Sequence, residues 1–169
     1  MTKFCAEWPN LSVDQRRQFY ADVLYSIAKP ESAYSRASMY WESGQGTDEI
    51  TGLQIKTSEG FLQLSYDDIL GYGHACDFSY AIHDKPFHLD DIAHKPASKS
   101  WNGLHPNEKY IQDGPRNLTC GVAIFDTLLK NHSGEFADVM SLYWSTMRRS
   151  GAAYSTIWGQ MRSRNSPCH

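Results

Sequence analysis

Tyr25-Ser26-Ile27-Ala28-Lys29-Pro30-Glu31-Ser32 and, further along, Glu59-Gly60-Phe61-Leu62-Gln63-Leu64-Ser65 are the two stretches on which the reading of this chain turns. The first places a carboxyl near the end of an apolar helix. After Asn10-Leu11-Ser12, the run from Val13 to Lys29 holds no Gly or Pro, and apolar or aromatic residues fall at 20, 23, 24, 27 and 28. That is the i, i+3, i+4, i+7 stripe of one helix face. Position 31 continues the stripe, so Glu31 is predicted on the buried side. Ser12 with Gln15 makes a capping-box pattern at the helix start. The second stretch is of the Gly-apolar-apolar-Gln kind that packs beside such a carboxyl. An acid held against apolar surface keeps its proton near neutral pH, as protonating a leaving oxygen requires. The plainer reading is a helix-end carboxylate paired with an Arg.

Other segments extend the pattern. Residues 33–58 are polar and contain Gly44, Gly46 and Gly52; the partial alternation Ile50-Thr51-Gly52-Leu53-Gln54-Ile55-Lys56 predicts a short hairpin. Residues 84–116 hold Pro86, Pro96, Pro106 and Pro115 with little periodicity, which predicts a long loop or insertion. Three helices are predicted beyond it. Asn117 to Asn131 carries a stripe at Leu118, Val122, Phe125 and Leu129. Glu135 to Arg148 carries one at Phe136, Val139, Met140, Tyr143 and Met147, and Ala152 to Met161 follows. A chain of 169 residues predicts one domain over 1–169, α+β and mainly α-helical.

In that order the motifs resemble the lysozyme-like superfamily, in particular its soluble lytic transglycosylase and goose-type lysozyme branch. Glu31-Ser32 matches a helix ending in Glu-Ser. Gly60-Phe61-Leu62-Gln63 matches a Gly-Leu-Met-Gln segment, and Asn117-Leu118-Thr119-Cys120-Gly121 an Asn-apolar-x-x-Gly helix start. Tyr143-Trp144 stands for a Tyr-bearing segment lining the cleft. The matches span about residues 20 to 145. Pro30 departs from the pattern, as do Phe61 and Leu62 in place of Leu and Met.

The resemblance implies a lysozyme-like fold with a small β-hairpin beside the cleft. It implies cleavage of the peptidoglycan glycan strand between N-acetylmuramic acid and N-acetylglucosamine, with Glu31 as general acid. A hydrolase of inverting geometry also needs a second carboxylate, about 6.5–9.5 Å away. Glu42, Asp48, Glu49 and Glu59 are the candidates, with Asp48 and Glu49 preferred for their place in the expected hairpin wall. A lytic transglycosylase needs none, since the muramic 6-hydroxyl closes an anhydro ring. Ser58, Gln63, Asn117 and Tyr143 are the expected substrate-binding residues. No cofactor or metal is expected. A non-catalytic glycan-binding or inhibitor module on the same fold is the reading of another class.

Composition agrees with a sugar ligand, because 13% aromatic residues, with five Trp and ten Tyr, offer faces on which a pyranose ring stacks. Most such rings are ordinary core. A net charge of −3 argues against a nucleic-acid partner. The expected partners are peptidoglycan strands and a cognate immunity or inhibitor protein, with the protein itself a monomer. No apolar run approaches the length of a membrane span. Met1-Thr2-Lys3-Phe4-Cys5-Ala6-Glu7-Trp8 lacks the apolar region of a signal peptide. Action in the periplasm or cell wall then implies a mature fragment, a phage-released enzyme or an injected effector.

Cys5, Cys76, Cys120 and Cys168 form no CxxC pair. A Cys76–Cys120 bridge is predicted, tying the middle of the chain to the Asn117 helix, and in the chain-entropy model is worth roughly 4 kcal/mol. Cys5 and Cys168 pair if the ends meet; four free thiols of a cytosolic protein are the alternative. His83, Asp84, His88, Asp90, Asp91 and His94 lie close together in the expected loop. They are read as a solvated stretch, ahead of a metal site or a phospholipase-type His-Asp dyad.

Overall fold

The computed structural model describes residues 5, 7–164 and 166. Helix α1 covers Val13–Ser32. Its start is the capping box: Gln15 N–H donates to Ser12 Oγ (3.2 Å) and Ser12 N–H to Gln15 Oε1 (2.8 Å). Pro30 lies inside the helix without ending it, at the cost of the backbone bond its missing N–H would give. Phe19, Val23, Leu24, Ile27 and Ala28 form the buried face. Directly after the helix, Ala33 and Tyr34 both adopt left-handed backbone (φ 51° and 64°), a strained reversal for two non-glycine residues.

Strands β1 (Ser38–Trp41), β2 (Thr57–Glu59) and β3 (Ser100–Asn102) make one antiparallel sheet in the order β2-β1-β3. Tyr40 stands opposite Ser58, and Met39 opposite Trp101. The α+β, mainly helical class expected from sequence is what the chain adopts. The hairpin expected over Ile50–Lys56 is instead a turn region. Asp48 Oδ1 accepts from the N–H groups of Ile50 (3.0 Å) and Thr51 (2.7 Å), and this Asx-type capture diverts the backbone from strand pairing.

Helix α2 is Asp68–Tyr72. A single π turn at Tyr80–Asp84 leads into α3, Lys85–Ala93. The stretch 84–116 is therefore no featureless loop: it holds α3 and β3. Pro86 misleads in the sequence because it sits in the first turn of α3, where a missing N–H costs nothing. Helix α4 is Gly114–Asn131. Its buried positions include Asn117, Cys120, Ile124, Phe125 and Leu128, while Leu118 is exposed. The inward face is thus offset from the predicted stripe. A disulfide joins Cys76 to Cys120, both fully buried. Cys5 is buried; Cys168, its expected partner, lies outside the described residues.

The helix predicted over Glu135–Arg148 is broken. Helix α5 ends at Met140 (Phe136–Met140). Tight turns follow, in which the N–H groups of Tyr143 and Trp144 both donate to the Met140 carbonyl. A 3-10 turn at Ser145–Met147 and helix α6, Ala152–Ser163, follow. Burial of Trp144 at 1% exposure explains the break, since a continuing helix would carry that ring to a different face.

By its internal contacts the chain divides into two compact units. One takes the chain up to Pro30 together with the chain from Ile124 onward; the other is Glu31–Ala123. The first has a core of rings. Phe19 meets Phe125 (6.2 Å) and Phe136 (5.8 Å) edge-on, and Phe136 meets Trp158 (6.0 Å). The second unit holds the sheet, α2, α3, the disulfide and every sequence-predicted site residue except Tyr143.

Candidate active site

Glu31 heads the Glu31–Ala123 unit and is half-buried. It lines an open cavity of about 430 Å³. The turn after α1 contributes Ser32, Ala33 and Ser35; β1 contributes Ser38; β3 contributes Ser100, Trp101 and Asn102. Among the described residues lining it, Glu31 is the one carboxyl group. Lys95 helps place the aromatic wall, with its ammonium over the rings of Trp41 (4.4 Å) and Trp101 (5.8 Å).

The helix end at Glu31-Ser32 and the Gly60–Gln63 segment meet here. Ser32 Oγ donates to the Phe61 carbonyl (2.9 Å), tying the residue after Glu31 to the Gly60–Gln63 turn. That turn needs glycine at 60. Its φ is 77°, and a Cβ there would come within 2.5 Å of Asn117 Nδ2. Asn117 is fully buried and acts as a clamp. Its Oδ1 accepts from Leu62 N–H (3.0 Å), and its Nδ2 donates to the carbonyls of Glu59 (3.2 Å) and Ile111 (2.8 Å). Gln63 is left-handed (φ 52°) and donates from Nε2 to the carbonyls of Gly60 (3.0 Å) and Ser38 (3.3 Å). Neither Asn117 nor Gln63 is among the residues that line the cavity. Ser58 is buried and donates to Glu42 Oε1 (2.6 Å).

Neither preferred second carboxylate reaches the cavity lining. Asp48 is 1% exposed, and its Oδ1 accepts two N–H groups of its own turn. Burial raises its pKa, and neighbouring Asp67 adds to the rise against the Thr51 N–H. Glu49 is exposed. Tyr143 belongs to the other compact unit, in the turn after α5, with its ring edge-on to Trp144 (5.0 Å).

Glu59 has a different fate. It is fully buried within a network of charges. Thr57 Oγ1 donates to its Oε1 (3.0 Å); Lys109 Nζ (2.5 Å) and Gln112 Nε2 (3.0 Å) donate to Oε2. Lys109 Nζ also stands 2.6 Å from Asp91 Oδ2. His88 Nδ1 lies 2.9 Å from Glu59 Oε1, short of hydrogen-bond alignment. Burial alone would raise the Glu59 pKa, but Lys109 and His88 outweigh it and hold it at about 2. Glu59 is therefore an ionised structural anion. Beside it, buried Asp84 accepts from Tyr66 OH (3.1 Å), Tyr110 N–H (2.7 Å), Ile111 N–H (3.0 Å) and the His83 ring (2.9 Å). The stretch His83–His94 is thus partly interior, with Asp84, His88 and Asp91 at 1% exposure or less. Among the described residues no group of three or more His, Cys, Asp or Glu is placed to hold a metal.

Sequence reasoning missed Trp101, Asn102 and Ser100, because β3 hides in a Pro-spaced segment three residues long. The one available signal was Trp101 itself, an aromatic followed by Asn and Gly. Comparison with protein-family models, with curated proteins and with solved structures finds no match.

Proposed function

We propose that this protein cleaves the glycan strand of peptidoglycan between N-acetylmuramic acid and N-acetylglucosamine, with Glu31 as general acid. The observation that carries the reading is the cavity itself. A single carboxyl stands in it beside a tryptophan ring, an asparagine and four serine side chains. That is the composition of a sugar site: a stacking face, short hydrogen-bonding groups and one proton donor. In the proposed step Glu31 gives its proton to the glycosidic oxygen. The C1–O bond breaks with its electron pair leaving on that oxygen, and the sugar ring takes on oxocarbenium character.

Two forms of this reaction share that first step: hydrolysis of inverting geometry, which needs a second carboxylate, and transglycosylation, which needs none. In the latter form the muramic 6-hydroxyl attacks C1 and returns its proton to the Glu31 carboxylate, leaving an anhydro ring. Mass analysis of digested peptidoglycan is the test. Anhydro ends support this form, reducing ends support hydrolysis, and no products reduce the protein to a glycan-binding module. Glu31→Gln keeps the shape and removes the proton donor. It is expected to lower cleavage by about 10²–10⁴-fold with the fold intact; retention of more than about a tenth of the activity overturns the assignment.

A further inference from the structure

The Glu31–Ala123 unit carries a second open cavity, of about 420 Å³, within the range of small-ligand sites. Its wall is a layered stack. The His83 ring lies flat on Tyr110 (3.5 Å between centroids, 17° between planes), and the Arg116 guanidinium packs on Tyr110 at 3.8 Å. Buried Asp84 anchors the stack by holding the His83 ring and the Tyr110 N–H. Arg116 is thereby held in place, yet among the described residues its guanidinium has no acceptor. Arg116 is exposed, and the edge of a guanidinium is what a carboxylate engages with two parallel N–H bonds.

The same cavity is lined by Glu108 and Asp113. Neither forms an ion pair with Arg116, although all three face one space. Asp113 instead accepts the Arg116 backbone N–H through Oδ1 (3.1 Å). Opposite charges that line one cavity without pairing suit a ligand that bears both. We infer that this cavity binds the zwitterionic end of an amino acid, its carboxylate on Arg116 and its ammonium on Glu108 and Asp113. A plain anion would meet two carboxylates, and a plain cation would meet Arg116. The source of the ligand rests on the glycan-cleaving reading. In peptidoglycan such a group is the free amino-carboxylate end of a diamino acid in an uncross-linked stem peptide.

The test uses the full chain, and the probes carry no glycosidic bond, so binding is read without cleavage. Three probes are compared: diaminopimelate with both groups at each end, pimelate with the same carbon chain and carboxylates only, and cadaverine, the shorter diamine left when both carboxylates are removed. NMR titration is expected to move the His83 and Tyr110 resonances with diaminopimelate. Its affinity is expected to exceed that for pimelate or cadaverine by about tenfold or more. Arg116→Ala and, separately, Glu108→Gln are expected to weaken it while the remaining spectrum stays folded. Equal or tighter binding of pimelate would overturn the inference in favour of an anion site. No shift at His83 or Tyr110, or a full response in the folded Arg116→Ala protein, would remove the site altogether. The peptidoglycan digest decides the cleavage reading independently of these outcomes.

Discussion

One compact unit of this protein has a core mainly of packed rings; the other has rings too but adds a buried network of paired charges. In the unit that joins the N-terminal helix to the end of the chain, Phe19, Phe125, Phe136 and Trp158 meet edge to face. In the Glu31–Ala123 unit, Glu59, Asp91 and Lys109 are all at 1% exposure or less and satisfy one another. Rings gain from burial in any packed arrangement. Buried charges are stable only in the arrangement that pairs them, because removing one partner strands the others in a medium that solvates them poorly. The unit that carries the Glu31 cavity is therefore the one whose interior is specified most narrowly.

Removing the central cation is expected to break the charged unit most severely. Lys109→Met keeps most of the side-chain volume but leaves Glu59 and Asp91 facing each other unneutralised. It should cost about 3–5 kcal/mol in denaturant unfolding. A cost below about 1 kcal/mol would show that the network contributes little.

Acid should separate the units next. The folded pKa of Glu59, about 2, lies below its ordinary value of 4.5. Its contribution is therefore complete above about pH 4.5 and is lost as the pH falls toward 2, amounting to about 3 kcal/mol. Amide hydrogen exchange across that window should show protection falling in β2 and α3 before α6. Simultaneous loss in both units would contradict this.

A smaller effect sharpens the contrast from the other side. Phe125→Leu in the ring-filled unit should cost about 1 kcal/mol through lost edge-to-face contact and area. The cost should be nearly the same at pH 7 and pH 3, because none of the rings Phe19, Phe125, Phe136 and Trp158 carries a group that titrates in that range. A loss that grows with acid would mean the two interiors are not of different kinds.

These contrasts also explain what the sequence made legible. Helix α1 was readable because its apolar spacing and its Ser12–Gln15 cap are local signals. The Gly60–Gln63 segment was expected beside the helix end, but not through Ser32 and Phe61, which carry the contact; the Cys76–Cys120 pairing followed from position. The charged interior was not readable. Glu59, His88, Asp91 and Lys109 each look like surface residues, and only long-range pairing, fifty residues from Glu59 to Lys109, takes them inside. Strand β3 escaped for a related reason: three residues carry no period, and only β1 alongside makes them a strand. Tyr143 was assigned to a helix because Val139, Met140 and Tyr143 keep helical spacing through a chain reversal. For the cavity, Glu31 was legible as the end of a stripe, while its neighbours Ser100, Trp101 and Asn102 depend on that strand pairing.

The bridge between Cys76 and Cys120 has a consequence in time. A reducing thiolate must reach a sulfur atom along the S–S axis, and both sulfurs belong to fully buried residues. Reduction therefore waits for the surrounding unit to open. At moderate thiol concentration its rate measures how often that opening occurs, weighted by the speed of attack. The same crosslink that joins two distant segments is thus a clock for their separation. It can be read with a thiol and a stopwatch in the intact protein, without denaturant.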